Sequence, residues 1–296
     1  MMLLLLIFSL FSWSGFSLTV LSYSSFLGEG SLGESIKRGF EEKHPGVKLE
    51  FVSSKELSGL FGYLKSPRSK NVDVVIGLGE AGHAAALEMN IIDEGRVFER
   101  GPFAIVVNTE MIATKDFPQS WADLAKVLKN KLLLPDPRFS SAGEGWIRAI
   151  YEHQLISPVD SQKLVKTVYP SWSAAYSAFT KGQAPAVWSY LSSEAYHLCH
   201  DEKKFKAIPL KEGYPEQREF VAKLKRSKDA NAQVFVDYVL SAEVQSKLPR
   251  LNWMFPADSE TKLPNCFNGL TQVKSLKASE LRLDFFQKWT DSWSLL

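Results

Sequence analysis

No charged side chain occurs before Glu29 in this chain of 296 residues, so its front end lacks the polar surface of an ordinary globular segment. Cysteine is scarce: Cys199 and Cys266 alone exclude a disulfide scaffold and a multi-cysteine metal site. Excess charge of one sign is missing too. Lys and Arg number 35 against 33 Asp and Glu, a net of +2 that is too weak to point to nucleic acid. The patterns G-x-S-x-G, H-E-x-x-H, C-x-x-C and G-x-x-x-x-G-K-[ST] are absent, and none of the five His residues has a nucleophile partner by sequence logic. No catalytic machinery is legible, and the expectation is a protein that is not an enzyme. Internal repeats, low-complexity tracts and Pro/Ser-rich linkers are also missing. What is present is globular composition, 45% hydrophobic and 23% charged, in a length that suits two domains or one large one.

The charge-free start reads as an address. Met1 to Phe11 is apolar, and Gly15-Phe16-Ser17 fits the small-x-small pattern of a signal-peptidase site, which predicts a signal peptide over 1–17. The competing readings are an uncleaved membrane anchor and a buried N-terminal helix, because the usual Lys or Arg is missing from the first residues. No Cys follows the run to carry a lipid, so export without a tether, into a Gram-negative periplasm, is expected. In that compartment Cys199 and Cys266 pair or stay free and buried; both readings stand. His197-Leu-Cys-His200 looks metal-like, but no second ligand cluster accompanies it, and a solvated helix end is the expectation.

Beyond the start, β-branched runs alternate with helical patterns. Strands are expected at 18–23, 47–52 and 72–77, with helices at 31–43, 55–65 and 81–89 between and after them. Such a series implies a mostly parallel sheet with right-handed crossovers. After a strand at 103–108 the alternation restarts, with a helix near 120–128 and a strand at 131–134. Helices near 143–154, 160–168 and 172–181, a strand at 186–189 and a helix at 192–200 follow. Strands at 205–210 and 219–224, a helix at 231–240 and a last amphipathic helix at 278–293 complete the series. Two α/β lobes with no flexible linker imply two chain crossings and a ligand held in the cleft between them.

Two stretches satisfy G-x-G-x-x-G, at Gly28-x-Gly30-x-x-Gly33 and Gly77-x-Gly79-x-x-Gly82. Neither has the full dinucleotide context: four residues separate the first from its strand, and the second lacks an acid-ended strand about 20 residues on. Asp136-Pro-Arg-Phe-Ser140-Ser141-Ala-Gly143 ends a strand and opens a helix, where hydroxyls and free amides suit an anion or a hydroxyl; a plain N-cap is the bland reading. Trp172, Tyr176 and Phe179 have core-like helical spacing, yet Trp172 sits at a helix start. Tyr190, Tyr196 and Trp253 also lie at element ends or in loops. Aromatics placed this way suit a flat ring and an organic cation.

In these blocks the chain resembles the periplasmic thiamine-binding proteins of ABC importers, from Leu18 to about Pro256. The carriers are Asp136-Pro-Arg-x-Ser-Ser-x-Gly143, Trp172-Ser-x-Ala-Tyr176 with Lys181-Gly182, Ser189-Tyr190, Ala195-Tyr196-His197 and Asn252-Trp253-Met254. The resemblance implies a type II periplasmic-binding-protein fold of two α/β lobes, one of 18–103 plus 212–296 and the other of 104–211. It also implies thiamine or a thiamine phosphate as transported ligand, no cofactor, delivery to ABC permease subunits, and a monomer. By position, Tyr23, Trp172, Tyr190, Tyr196 and Trp253 would form an aromatic wall, with Ser140 and Ser141 at the polar end.

Two departures stand out. Many relatives place a carboxylate after the Gly-Leu of the third strand, where this chain has Gly79 followed by Glu80; either Glu80 substitutes for that acid or the pocket accepts a different or looser ligand. An aromatic of the first loop is replaced by small residues around Gly30. Ferric iron on Tyr190 and Tyr196 is the alternative ligand, and a thiamine-processing enzyme with a cysteine nucleophile is the alternative of a different class.

Overall fold

The computed structural model describes residues 16–54 and 57–277. Most of the expected signal peptide and the expected helix at 278–293 lie outside the described residues. Strands β1 (Phe16–Tyr23), β2 (Val47–Ser54) and β3 (Val74–Leu78) alternate with helices α1 (Leu32–Lys43), α2 (Leu57–Lys65) and α3 (Glu80–Glu88). The long strand β4 (Arg96–Asn108) leads to α4 (Leu124–Leu128), β5 (Leu132–Pro135), α5 (Ser141–Tyr151), α6 (Pro158–Leu164) and β6 (Val165–Tyr169). Next come α7 (Trp172–Thr180), β7 (Ala186–Tyr190), α8 (Ser192–Leu198) and β8 (Phe205–Ala207). The chain returns through β9 (Tyr214–Lys223), α9 (Asn231–Val239), α10 (Ala242–Leu251), β10 (Phe255–Pro256) and β11 (Ser275–Leu276).

The sheet runs in the order β2-β1-β3-β9-β4-β7-β5-β6. At one end β1 pairs in parallel with β2 and β3, and at the other β5 pairs in parallel with β6 and β7. Between these parallel halves lie β9 and β4, antiparallel to their neighbours. Strand β4 serves both: Arg96–Pro102 pair with β9, whereas Phe103–Val107 pair with β7. These two strands are the chain crossings, and they form the floor on which the two halves meet.

Local sequence explains the elements. Strands β3, β5 and β7 are buried along their whole length, as expected of parallel strands covered by helices on both faces. Ser31 caps α1 by accepting from Glu34 N, and the Glu34 carboxylate accepts from Gly30 N at 2.6 Å, a reciprocal cap that fixes the helix start. Helix α5 lies close on β4 because Gly145 has no side chain; a Cβ there would stand 2.2 Å from the Phe103 ring. Trp188 of β7 ties down the same helix by donating from Nε1 to Ala142 O at 2.6 Å.

The helix expected over 160–168 is two elements. It ends at Leu164, and Val165-Lys-Thr-Val-Tyr169 is β6 at the sheet edge, because β-branched residues favour the pleated surface over a helix continuation. Strand β4 starts seven residues before the expected 103, since the alternation in Arg96-Val-Phe-Glu-Arg-Gly-Pro hides a buried strand behind charged side chains. Helix α10, with Pro249 in its last turn, is an addition. His197 corrects the reading of a solvated helix end: it is 2% exposed, its Nε2 meets Tyr176 Oη at 2.9 Å and its Nδ1 pairs with Glu202. No helix among the described residues is long and apolar enough to cross a membrane.

Candidate functional site

Ser171 caps α7 by accepting from Ala174 N at 3.1 Å, which places Trp172 in the first turn, at the mouth of the sheet. The Trp172 indole donates from Nε1 to Ser189 Oγ at 2.7 Å and stacks on Tyr176, with centroids 5.1 Å apart and planes at 19°. Tyr190, the last residue of β7, lies 6.0 Å from Trp172 and stacks on Phe103 at 5.3 Å. Its hydroxyl reaches Ser141 Oγ at 3.4 Å, at the start of α5. Burial pushes the Tyr190 hydroxyl well above the usual phenol range, so it stays a neutral donor. Ser140 stands at the N-cap of α5 without spending its hydroxyl on the cap. The start of α5, through the Ser141 hydroxyl, therefore lies beside Tyr190, which neighbours Trp172.

A second group comes from elsewhere in the chain. Trp253 packs edge-on against Tyr196 at 5.0 Å, and Tyr196 keeps 39% of its surface exposed. The Trp253 backbone has φ +55°, a left-handed conformation that costs a non-glycine residue on the order of 1 kcal/mol and concentrates at functional sites. The preceding residue, Asn252, donates from Nδ2 to Tyr23 Oη at 3.1 Å and to Glu99 Oε2 at 2.7 Å. Tyr23 closes β1 beside this contact. Of the eight expected site residues, Trp172, Tyr190, Ser140 and Ser141 form one cluster, and Tyr196 and Trp253 form another. Asn252 links Tyr23 to the second.

Glu80 lines one cavity with Ser141 of the first cluster. It is 7% exposed and holds two guanidiniums, Arg148 Nη1 at 2.5 Å and Arg218 Nε at 2.8 Å. Arg148 in turn pairs with Glu152 at 2.8 Å and donates to Glu216 O at 2.9 Å. This network joins α3 to α5 and β9. Above it a cavity of about 10 Å³, room for about one water, is bounded by Gly79, Ser141, Glu144 and Gln217.

The crossing strands bring in acids that sequence reading missed. Glu99 of β4 and Glu219 of β9 are opposite one another in register and buried, at 0% and 2% exposure. Gln217 donates to Glu219 Oε1 at 2.5 Å. Burial pushes the Glu99 carboxyl up to about 7, and burial together with the Glu99 charge raises Glu219 well above its ordinary value. Glu144, one turn beyond Ser141, is pushed up by burial to about 8. None of these has a motif; only the pairing of β4 with β9 assembles them.

The carboxyl pair gives stability a pH dependence of known sign. Glu99 releases its proton near 4.5 when unfolded and near 7 when folded, so its contribution is full below about pH 4.5 and is lost as pH rises to about 7. Comparing denaturation free energies at pH 5 and pH 8, wild type should lose on the order of 2–3 kcal/mol more over that range than Glu99→Gln. Parallel pH profiles for the two proteins would show that Glu99 does not titrate there.

Cys199 and Cys266 form a disulfide, with Cα atoms 5.1 Å apart. That removes the alternative of a cysteine nucleophile, since neither thiol is free. Among the described residues no three His, Cys, Asp or Glu side chains are grouped to hold a metal ion. Two of the motif glycines have structural roles: a Cβ at Gly33 would meet Phe26 O at 2.3 Å, and Gly77 lies at the irregularity in the pairing of β3 with β9.

Residues 30–250 match the family of bacterial extracellular solute-binding proteins. The chain belongs to that family. This solute-binding protein is 33% identical over 301 residues to a thiamine-binding periplasmic protein of Brucella melitensis, covering 90% of this chain and 89% of that one. It is 31% identical over 283 residues to the Escherichia coli thiamine-binding periplasmic protein, covering 86% and 85%. Among solved structures, a periplasmic thiamin binding protein matches with TM-score 0.84 and 28% identity over 94% of this chain and 95% of that one. The ferric binding protein of Campylobacter jejuni shares the fold at TM-score 0.74 and 15% identity, over 94% and 97%. The solute-binding protein has the two-lobed α/β fold of type II periplasmic binding proteins, with β4 and β9 as its crossings.

Proposed function

We propose that this solute-binding protein captures thiamine in the periplasm and delivers it to the permease subunits of an ABC importer. The observation that carries the reading is the stack of Trp172 on Tyr176 beside Tyr190, set over buried carboxyls. Thiamine is a flat aminopyrimidine joined to a permanent thiazolium cation, and aromatic faces attract such a cation by about 0.5–2 kcal/mol each. The hydroxyls of Ser140 and Ser141, with the α5 amides, suit its hydroxyethyl arm. The relatives at 31–33% identity carry the name thiamine-binding periplasmic protein.

Mechanically, residues 18–103 with 212–296 act as one lobe and 104–211 as the other, after removal of residues 1–17, and the receptor works as a monomer. The space between α3 and α5 is too small for an organic heterocycle, so ligand enters when the lobes part and favours their closure. The neutral, hydrogen-bonded Tyr190 hydroxyl disfavours a tyrosinate iron site.

Titration calorimetry with thiamine tests the reading. Wild type should bind one thiamine per chain with quenching of tryptophan fluorescence, and Trp172→Ala should weaken binding roughly tenfold, the equivalent of 1–2 kcal/mol. No heat and no quenching with thiamine would end the proposal. A visible charge-transfer band on adding ferric iron would replace it with the iron reading.

A further inference from the structure

Behind the stack of Trp172 on Tyr176 lies a hydrogen-bonded chain that runs out to a half-exposed acid. Tyr176 Oη meets His197 Nε2 at 2.9 Å, and His197 Nδ1 meets the Glu202 carboxylate. Chemistry fixes the direction of each proton in it. A carboxylate only accepts, so His197 carries its proton on Nδ1, leaves Nε2 bare and takes the hydrogen of the Tyr176 phenol. Burial lowers the His197 imidazole and raises the Tyr176 phenol, so both stay neutral. The His197 contact holds the Glu202 carboxyl below its ordinary value, so it stays an acceptor. The backbone turns back to make this contact. Asp201 has φ +61°, a left-handed conformation that Asp adopts more readily than most residues, and Glu202 N donates to His197 O at 2.9 Å. The histidine is 2% exposed and packs on Phe205 with ring centroids 4.1 Å apart. Trp172 has its own anchor: its Nε1 donates to Ser189 Oγ, which lies 2.8 Å from Ser193 Oγ, and Ser193 also faces Tyr176. Each ring of the stack is thus held at its polar atom, Trp172 by β7 and Tyr176 by α8.

We propose that His197, oriented by Glu202, is a positioning residue of the ligand site: it ties down the Tyr176 hydroxyl, and through the 5.1 Å stack it sets the plane of the Trp172 indole before ligand arrives. The inference rests on the thiamine reading and deepens it. A ring already held in its bound orientation loses less freedom when ligand binds, so the tether raises affinity by preorganisation. His197 acts through Tyr176 and needs no contact with the ligand. Leucine could fill the same space; what the imidazole adds is an acceptor at a fixed point for the phenol.

Fluorescence titration of the full chain with thiamine tests the tether. His197→Leu, which keeps the bulk and removes the acceptor, should weaken thiamine about tenfold. His197→Gln, whose amide oxygen can accept from the phenol, should stay within about threefold of wild type. Tyr176→Phe should lose about as much as His197→Leu, and combining the two should cost no more than about a further twofold, because no hydroxyl is left to hold. A packing role would treat leucine and glutamine alike and make the two losses add. In ligand-free protein with isotope-labelled tryptophan, nuclear magnetic resonance of the indole N–H groups gives a second readout. His197→Leu and Tyr176→Phe should both move the Trp172 signal, and His197→Gln should restore it. Thiamine bound by His197→Leu within about twofold of wild type overturns the inference and leaves the thiamine reading standing. Equal losses for His197→Leu and His197→Gln, or additive losses in the double variant, do the same. Should His197→Leu fail to fold, Tyr176→Phe carries the test, and unchanged affinity with an unmoved indole signal overturns the inference. A wild type that binds no thiamine ends the thiamine reading, and the tether is then decided by whether the Trp172 signal moves.

Discussion

Replacing Arg148 by methionine should lower the unfolding free energy by about 3–5 kcal/mol, the range seen when one partner of a buried ion pair is removed. Arg148 is 3% exposed and engages three groups at once: it ion-pairs with Glu80 Oε2 and donates hydrogen bonds to Glu152 Oε2 and the carbonyl of Glu216. Methionine fills much of the volume, so the loss reports charge and hydrogen bonding rather than a cavity. Arg218 still holds the other oxygen of Glu80, but it reaches in from a side chain that is 42% exposed and cannot cover both. Guanidinium denaturation of Arg148→Met, Glu80→Gln and the double variant checks the account. The double variant should be less destabilised than the sum of the singles by 1 kcal/mol or more, because neutralising Glu80 removes the stranded charge. Additive losses would mean that the two side chains do not act as a pair. The same pair joins α5 to α3.

Removing the Cys199–Cys266 bridge should cost about 4 kcal/mol, since it closes a loop with a sequence separation of 67 and restricts the unfolded chain accordingly. The bridge has neighbours that explain its place. Cys199 follows α8, and Cys266 lies in the turn at Asn265–Gly269 that packs on that helix. Beyond it, Thr271 donates from N and Oγ1 to the buried Glu194 carboxylate at 3.2 and 3.0 Å. Strand β11 then pairs with the start of β9. The disulfide thus pins the segment that follows β10 back onto α8. Cys199→Ser/Cys266→Ser should unfold at clearly lower denaturant than wild type, and dithiothreitol should bring wild type to the same midpoint. Unchanged midpoints in both would refute a stabilising role. Such a bridge fits an oxidising compartment, where it persists.

Much of the α/β alternation was legible in the chain, because a buried parallel strand is a nearly continuous apolar run and each amphipathic helix shows one apolar face. Val74–Leu78 and Leu32–Lys43 are of that kind. The aromatic and serine members of the site were legible through their place at element ends: Trp172 after the Ser171 cap, Tyr190 at the end of β7, Ser140 and Ser141 at the start of α5. Their burial and their mutual stacking were not, since those depend on which strand lies beside which.

The amino-acid sequence by itself determined the alternating α/β elements, the charge-free start, the absence of a catalytic motif, and the positions of the rings and hydroxyls of the candidate site. The tertiary structure alone decided what the acids do. Glu80, next to the glycine of the third strand, is claimed by two arginines that are 68 and 138 positions further along the chain. Glu99 and Glu219 face one another only because β4 and β9 run antiparallel through the floor between the lobes. Whether Cys199 met Cys266 was settled by the packing of a late turn on α8. The physical reason is common to all three. A charge or a thiol is worth little until burial removes water from it, and which groups share a buried volume is fixed by strand order and lobe contact, not by spacing along the chain.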